Sequence, residues 1–141
     1  MLTIVEKVLF LQEVDIFENT KTEDLSHIAA ITDEISVKTD TDIYNAGDVS
    51  DSMYLVIEGK VRLHHNERQV MIAQVKDAFG TWALFDDEPR VVTATALEDS
   101  VLLKINREDF YDLLADHLQI TLGIMKTLSK RLRSLVNRVR R

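Results

Sequence analysis

The feature that most limits the fold of this sequence is a series of short β-type segments between residues 34 and 105. Apolar and polar residues alternate in several of them, as at Val61 and Leu63, and turn-forming residues such as 45–48 separate them. Short strands at this spacing are typical of a sandwich, a barrel or a jelly roll. The run 53–57 is apolar throughout, which predicts a strand that is covered on both faces.

Helical patterns precede the β-type region. Thr3 with Glu6, and Thr20 with Glu23, have the spacing of a capping box at a helix N-terminus. They predict two short helices that pack against the rest of the chain, and we interpret residues 1–32 as a helical lead-in.

Two more helices are predicted after the β-type region. Asn106 is the expected N-cap of the first, with Asp109 at the position that can answer it. The second is predicted from about Leu118 to the end. No linker, repeat or low-complexity segment interrupts the chain, so we expect a single domain over 1–141. It would consist of the lead-in, a β-region over 33–105 and C-terminal helices over 106–141.

Composition and charge narrow the possible functions. The chain has no cysteine, hence no disulfide framework, and a reducing cytoplasm suits it. The sequence shows neither the charge and apolar pattern of a secretory signal nor an apolar run long enough to span a membrane. Seven basic and no acidic residues follow position 125, whereas the first 125 residues carry 10 basic and 24 acidic ones. An acidic body disfavours direct nucleic-acid binding, and the basic end could contact an acidic partner, a membrane surface or the chain itself.

Residues typical of catalysis or of metal binding do not form a recognisable pattern. His64 and His65 are neighbours on a predicted strand, so their side chains point to opposite faces and cannot chelate one ion. His27 and His117 fall in predicted helices far apart in sequence. We found no Ser/His/Asp or paired-carboxylate arrangement either, and therefore expect no metal site and no enzymatic activity.

Residues 79–95 (Phe-Gly-Thr-Trp-Ala-Leu-Phe-Asp-Asp-Glu-Pro-Arg-Val-Val-Thr-Ala-Thr) hold the only tryptophan, the only proline and one of four glycines. Gly80 lacks a Cβ and lets the backbone approach a ligand closely. The next residues can form one helical turn whose first N–H groups attract an anion. Arg90 adds a planar guanidinium that fits two phosphate oxygens. Together they predict a cradle for one phosphate, unless Arg90 pairs at the surface with the acidic run 86–88.

This segment resembles the phosphate-binding cassette of cyclic nucleotide-binding domains. The family pattern is Phe-Gly-Glu-Leu-Ala-Leu, a short polar or acidic loop, then Pro-Arg, a small residue, Ala and Thr. The matching residues are Phe79, Gly80, Ala83, Leu84, Pro89, Arg90 and Thr93. Further family features follow in order along the chain, at Gly47-Asp48, Tyr54, Ile57, Gly59, the Phe110 region and 128–133. The resemblance implies a mainly β fold with flanking helices: a double-stranded β-helix (jelly roll) of about eight strands, two short N-terminal helices and two C-terminal helices.

The resemblance also implies how a ligand, cAMP or cGMP, would be held. Its phosphate would contact Gly80, Trp82, Ala83, Arg90 and Val91. The ribose would face Thr81, and Leu84 would relay movement of the cassette to the C-terminal helices. Two positions depart from the family: Thr81 replaces the glutamate that accepts from the ribose 2′-hydroxyl, and Val91 with Val92 replace smaller residues. Trp82 replaces a leucine, and is expected to fill the core or else to stack on a base or plug the pocket.

A heptad pattern runs along the last predicted helix. Its apolar positions, spaced 3, 4, 3 and 4, are Met125, Leu128, Leu132, Leu135 and Val139. We call these five residues the seam. The pattern predicts either an amphipathic helix packed on the β-roll or a surface shared with a neighbouring domain or a second copy over 118–139. Family members often use this helix to cap the base and to dimerise, although like charges on its outer faces weaken a parallel pair.

Three functions stay open at this point. The first is a regulatory module that senses a cyclic purine nucleotide and signals through its C-terminal helices. The second is a degenerate domain that binds no nucleotide and serves protein interaction or dimerisation. The third is a fragment of a DNA-binding transcription regulator, since such regulators carry a helix-turn-helix after the long helix and this sequence stops before one. In each case we expect a cytoplasmic location, and the chain could be one piece of a longer protein.

Overall fold

The computed structural model describes residues 1–140, all but the last residue of the chain. Four α-helices flank eight strands within this range. The helices are α1 (Ile4–Leu11), α2 (Thr22–Ala30), α3 (Arg107–Asp116) and α4 (Leu118–Val139). The strands are β1 (Asp33–Val37), β2 (Asp42–Tyr44), β3 (Ser52–Glu58), β4 (Val61–His65), β5 (Arg68–Ala73), β6 (Ala78–Phe79), β7 (Thr93–Ala96) and β8 (Ser100–Asn106). The predicted fold class, with about eight strands and two helices at each end, is confirmed.

The strands form two four-stranded antiparallel sheets that pack face to face. Their orders are β1-β8-β3-β6 and β2-β7-β4-β5. Both sheets contribute to the apolar layer between them, which includes Tyr44, Tyr54, Val61, Phe79 and Leu102. The three aromatic rings lie 5.3 to 6.1 Å apart between centroids. Apart from the β4–β5 hairpin, neighbouring strands in each sheet are far apart in sequence.

Strand β3 is covered on both faces, as its apolar run predicts. Tyr54 and Val56 point into the layer between the sheets. Met53, Leu55 and Ile57 point to the opposite face, where the helices and the N-terminal lead-in form a second apolar core. Alternate residues of a strand face opposite sides. A strand that contacts two cores therefore needs apolar residues at both sets of positions.

The helix starts agree only in part with the prediction. The capping box of Thr3 and Glu6 is present, with both reciprocal hydrogen bonds at 3.1 Å. The box predicted for Thr20 is wrong: α2 begins at Thr22 after Lys21, and no side chain caps it. The physical reason is that Thr20 belongs to the preceding turn, where its N–H donates to the Phe17 carbonyl oxygen at 2.9 Å.

The predicted position of Asn106 before α3 is confirmed, but its side chain makes no capping hydrogen bond. Instead its amide group donates to the Asp33 carboxylate at 3.3 Å. Asn106 is also the last residue of β8, and its side chain therefore links that strand to the start of β1.

Helix α4 docks through a different face from the one that carries the seam. Its buried residues are Ile120, Gly123, Ile124 and Thr127. The five seam residues are 38 to 85% exposed, so the prediction that they pack on the β-roll is wrong. Small and branched residues let α4 approach the body closely, which leaves the heptad face to solvent. In the described part of the chain, none of the helices combines the length and the apolar character needed to span a bilayer.

Candidate functional site

Residues 79–95 are called the cassette below. Its second residue, Gly80, adopts a backbone conformation that favours glycine. Its backbone is left-handed, with φ of 70° and ψ of 19°. A Cβ built at Gly80 would lie 2.6 Å from Nη1 of Arg90 and 3.3 Å from the carbonyl oxygen of Ser52. Glycine is thus required for the backbone angle and for the close approach of a side chain.

The Arg90 side chain turns inward and lies against this glycine. Only 8% of the residue is exposed. Nη2 donates to the Ser52 carbonyl oxygen at 2.5 Å, and Nη1 donates to the Gly80 carbonyl oxygen at 3.4 Å. The guanidinium carbon lies 4.0 Å from the centre of the Tyr44 ring. The alternative prediction, a surface arginine paired with the acidic run 86–88, is wrong.

No carboxylate of residues 1–140 forms an ion pair with Arg90, and its Nε is buried without a hydrogen-bond partner. Two carbonyl oxygens and an aromatic face therefore surround a buried positive charge. Such a charge is costly unless it is paired. The site has the electrostatic character of an anion site that retains one unused donor.

Tyr44 is the third neighbour of the Arg90 guanidinium, and its ring is uncharged. Burial raises the pKa of its hydroxyl above the ordinary 10.0, although the charge of Arg90 acts in the opposite direction. At neutral pH the phenol is therefore protonated, and its face can contribute a cation–π contact, for which about 0.5–2 kcal/mol is usual.

The predicted helical turn after Gly80 is present as a 3-10 helix over Thr81–Leu84. Ala83 and Leu84 are buried, with 1% and 0% exposure. Leu84 lies in the core shared with α3 and α4. Trp82 points outward and is 78% exposed, so the prediction that it fills the core is wrong. On a 3-10 turn three residues complete a revolution, and the two buried positions leave the tryptophan on the solvent side.

A cleft of about 380 Å³ opens on the outer side of this turn. Thr81 and Trp82 form one wall, Met71 of β5 another, and Leu128 and Arg131 of α4 a third. Thr81 thus connects the two parts of the candidate site: it follows the glycine that touches Arg90, and it lines the cleft. Sequence reasoning assigned Thr81, Trp82 and the final helix to the ligand side, and these residues do line one cleft.

Val91 does not join this group. It is 72% exposed and absent from the cleft lining. The backbone before it is fixed, because the Arg90 N–H donates to the Asp48 carbonyl oxygen at 2.9 Å and the Gly47 N–H donates to the Arg90 carbonyl oxygen at 2.7 Å. The turn 45–48 therefore sets the direction in which Arg90 enters the roll.

Arg107 is a residue that sequence reasoning missed. It is the first residue of α3, and its Nη1 donates to the carbonyl oxygens of Ser50, Ala83 and Asp86 at 2.8, 3.1 and 2.5 Å. These bonds fasten the cassette turn to the first helix after the roll. A cation at a helix N-terminus is opposed by the helix dipole. An arginine at this position is therefore unusual, and this was the feature of the sequence that could have identified Arg107.

The structure also brings together residues that the sequence separates. His27 of α2 and His117, between α3 and α4, stack with ring centroids 4.1 Å apart and an interplanar angle of 25°. Asp24 lies beside them. The two histidines are far apart in sequence, as stated above, but they are neighbours in the fold. The prediction that His117 lies in a helix is wrong, since it falls between α3 and α4.

A family model described as Cyclic nucleotide-binding domain matches residues 34–117. The Cyclic AMP receptor protein of Thermus thermophilus is 33% identical over 96 residues, covering 64% of this chain and 44% of that protein. Lysophospholipase nte1 of Aspergillus niger is 29% identical over 117 residues, covering 79% of this chain and 8% of that protein. The chain thus spans less than half the length of both relatives.

Among solved structures, the N-terminal domain of a transcriptional regulator from Streptomyces coelicolor A3(2) is similar, with a TM-score of 0.85 and 25% identity. The match covers 89% of this chain and 94% of that one. The family model spans more than half of the chain and includes the whole cassette with Gly80 and Arg90. This protein therefore belongs to the cyclic nucleotide-binding domain family.

Proposed function

We propose that this protein is a regulatory module that binds a cyclic purine nucleotide, cAMP or cGMP, and has no catalysis of its own. The observation that carries the proposal is the buried guanidinium of Arg90, which has no carboxylate partner among residues 1–140 and keeps a free Nε donor. A cyclic phosphate brings one negative charge and acceptor oxygens, whereas Arg90 has no counter-ion among the described residues and its Nε has no acceptor. A cytoplasmic location stays a prediction.

Thr81 would face the ribose, and it makes the expected affinity low. A threonine hydroxyl is a neutral acceptor and shorter than the glutamate of the family pattern. A hydrogen bond to a charged group contributes about 1.5–3 kcal/mol. Replacing the carboxylate with a hydroxyl should therefore weaken binding by roughly tenfold to a hundredfold.

The base would enter the cleft between the cassette and α4. Met71, Trp82 and Leu128 offer it apolar and aromatic surface there. We propose that the Trp82 ring stacks on the purine, the second of the two roles expected for it, and its exposure at the cleft supports this. Aromatic stacking on a base contributes about 1–3 kcal/mol in nucleic-acid complexes, so this contact could offset part of the weak ribose contact.

Two contacts support a relay of movement from the cassette to the C-terminal helices. Leu84 is fully buried in the core that contains Phe110 of α3 and Ile124 of α4. Arg107 ties the carbonyl oxygens of Ala83 and Asp86 to the start of α3. A nucleotide that draws Arg90 or the turn toward its phosphate would move both contacts. Such coupling requires tighter binding to one helix arrangement than to the other.

Titration with cAMP and with cGMP tests the proposal, by calorimetry and by the fluorescence of Trp82, the only tryptophan in the chain. We expect weak binding to the unmodified protein and about tenfold to a hundredfold tighter binding to Thr81→Glu. Thr41→Glu is a matched control, since this exposed threonine does not line the cleft, and its affinity should equal that of the unmodified protein.

Arg90→Lys keeps a positive charge but loses the planar donor pair, and should reduce the affinity of the Thr81→Glu protein severalfold or more. Absence of heat and of a fluorescence change with both nucleotides at millimolar concentration, in folded wild type and folded Thr81→Glu, would overturn the proposal. Unchanged affinity in Arg90→Lys would overturn the role given to the guanidinium.

The alternative of a degenerate interaction module has its own supporting observation. The five seam residues of α4 are exposed although they keep a heptad spacing. A second copy of the chain, or a neighbouring domain of a longer protein, would cover them. The two functions are compatible, because a seam that associates could be the element that the nucleotide controls.

A further inference from the structure

We propose that Asp24, His27 and His117 form a binding site for a divalent transition-metal ion of the zinc class. One ligand atom from each of the three side chains lies within 4.8 Å of the other two. The site lies outside the cassette and its cleft, so this inference goes beyond the proposed function and does not rest on it.

Two of the three ligands share one face of α2. Asp24 and His27 are three residues apart, which places their side chains side by side on a helix. His117 comes from the break between α3 and α4, where its own backbone is not helical, with φ of −137° and ψ of 75°. The third ligand therefore reaches the other two through the tertiary fold.

The donor atoms are available. Neither imidazole makes a side-chain hydrogen bond within the described residues 1–140, and the rings only stack on each other. Asp24 is 3% exposed, yet the partner of its carboxylate is a neutral amide, Nε2 of Gln119 at 3.3 Å. A buried carboxylate with one long hydrogen bond has strong reason to take a cation.

Gln119 occupies the place of an orienting residue. Its amide donates to Oδ1 of Asp24 at 3.3 Å and so restrains the rotation of the carboxylate. Outer residues of this kind are usual around metal ligands and tune their affinity by about tenfold to a hundredfold. Two imidazoles and one carboxylate, with water in the fourth position, are a ligand set that suits Zn²⁺.

The three ligand atoms must move closer together to bind one ion. Metal–ligand bonds of about 2.0–2.1 Å in a tetrahedron place ligand atoms about 3.3 Å apart, compared with the present limit of 4.8 Å. The ring planes must also turn, since stacked imidazoles do not aim their lone pairs at a common point. His27 is exposed, so rotation about its side-chain bonds can bring its ring to the ion without disturbing the core.

The test uses the full chain without a polyhistidine tag, freed of metal by a chelator and titrated with ZnCl₂ in a calorimeter. We expect one Zn²⁺ per chain and a higher melting temperature in its presence. CoCl₂ should give the intense visible absorption of four-coordinate Co²⁺. His27→Ala should weaken Zn²⁺ binding by more than about tenfold, because one of three protein ligands is lost.

His65→Ala is the matched control, since His65 is also exposed and lies on β4, away from this cluster. It should leave the affinity unchanged. Asp24→Asn preserves the shape of the buried side chain and its contact with Gln119, and should also weaken binding. Circular dichroism verifies that each variant is folded.

Three results would overturn the proposal: no saturable binding of Zn²⁺, equal affinity in folded His27→Ala and in wild type, or loss of binding in His65→Ala instead. A visible Co²⁺ spectrum identical to that of the free aqua ion would mean that the ion keeps its water shell, and would overturn the three-ligand site as well.

Discussion

Gly80→Ala tests the central contact of the cassette, the approach of the Arg90 guanidinium to the backbone. Gly47→Ala is its matched control. Both glycines have positive φ, 70° at Gly80 and 91° at Gly47. A Cβ at Gly80 meets Nη1 of Arg90 at 2.6 Å, whereas a Cβ at Gly47 meets nothing within 4 Å. The pair therefore separates backbone strain from the contact with Arg90.

Two terms contribute to the expected loss of stability, and only one of them applies to both glycines. A left-handed backbone costs alanine about 1–2 kcal/mol, and this applies at both positions. At Gly80 the new methyl group must also displace the guanidinium from the Ser52 carbonyl oxygen, a charged hydrogen bond of about 1.5–3 kcal/mol. We therefore expect about 1–2 kcal/mol of destabilisation for Gly47→Ala and about 2.5–5 kcal/mol for Gly80→Ala.

Urea unfolding followed by circular dichroism measures both costs, with the slope of unfolding free energy against urea as a control for the unfolded state. The contact itself is isolated by repeating Gly80→Ala in an Arg90→Met background, where the stem remains and the guanidinium is gone. There the cost should fall to that of Gly47→Ala. The difference is the coupling free energy of the two positions.

Equal costs for Gly80→Ala and Gly47→Ala would refute this reasoning. So would a coupling free energy below about 0.5 kcal/mol between positions 80 and 90, which is the usual limit of additivity. Either result would mean that Arg90 is not held against Gly80 in solution, and the anion site inferred from its position would lose its basis.

Three other predictions concern parts of the chain outside the cassette. Two Thr39 donors hold the pKa of the Asp99 carboxyl below its ordinary 3.8. Asp99→Asn should therefore lower stability above about pH 4 and lose this effect as the pH falls through the lowered pKa, and an effect that does not decline below pH 4 would contradict this. Gly123→Ala brings a Cβ to 2.7 Å from the Asn19 carbonyl oxygen and should lower the melting temperature despite the better helix propensity of alanine, whereas the exposed Ser129→Ala should not. If the seam associates, sedimentation will show a dimer that Leu132→Glu converts to monomer, and a monomer at every concentration would exclude self-association.

Much of the fold was predictable because its signals are local or lie in one segment. The apolar run of β3, the capping box at Thr3 and the Gly-Pro-Arg order of the cassette each depend on neighbouring residues. A strand covered on both faces and a helix with a satisfied first turn look the same in many contexts, which is why pattern and structure agree there.

The failures at Trp82, at the seam and at the two histidines have a common cause, since each depends on which surface a residue faces after packing. The outward direction of Trp82 follows from the burial of its neighbours, and the exposed seam of α4 follows from the close contact at Gly123. Heptad spacing identifies an apolar face but not the element that covers it. The meeting of His27 with His117 is a tertiary contact across 90 positions of sequence, for which no local pattern exists.

The division of α4 into a docked half and a free half has a mechanical consequence. Up to Arg131 the helix is fastened to the lead-in: Asn19 donates to the Thr127 hydroxyl at 2.9 Å and accepts from Lys130 at 3.5 Å, and Arg131 lies 3.6 Å from the Asp15 carboxylate. From Leu132 to Val139 every residue is exposed, and this arm of about 12 Å extends beyond the anchor. A tilt of about ten degrees at the anchor would displace the tip of this arm by about 2 Å, so a small movement of the lead-in would become a larger one at the end of α4.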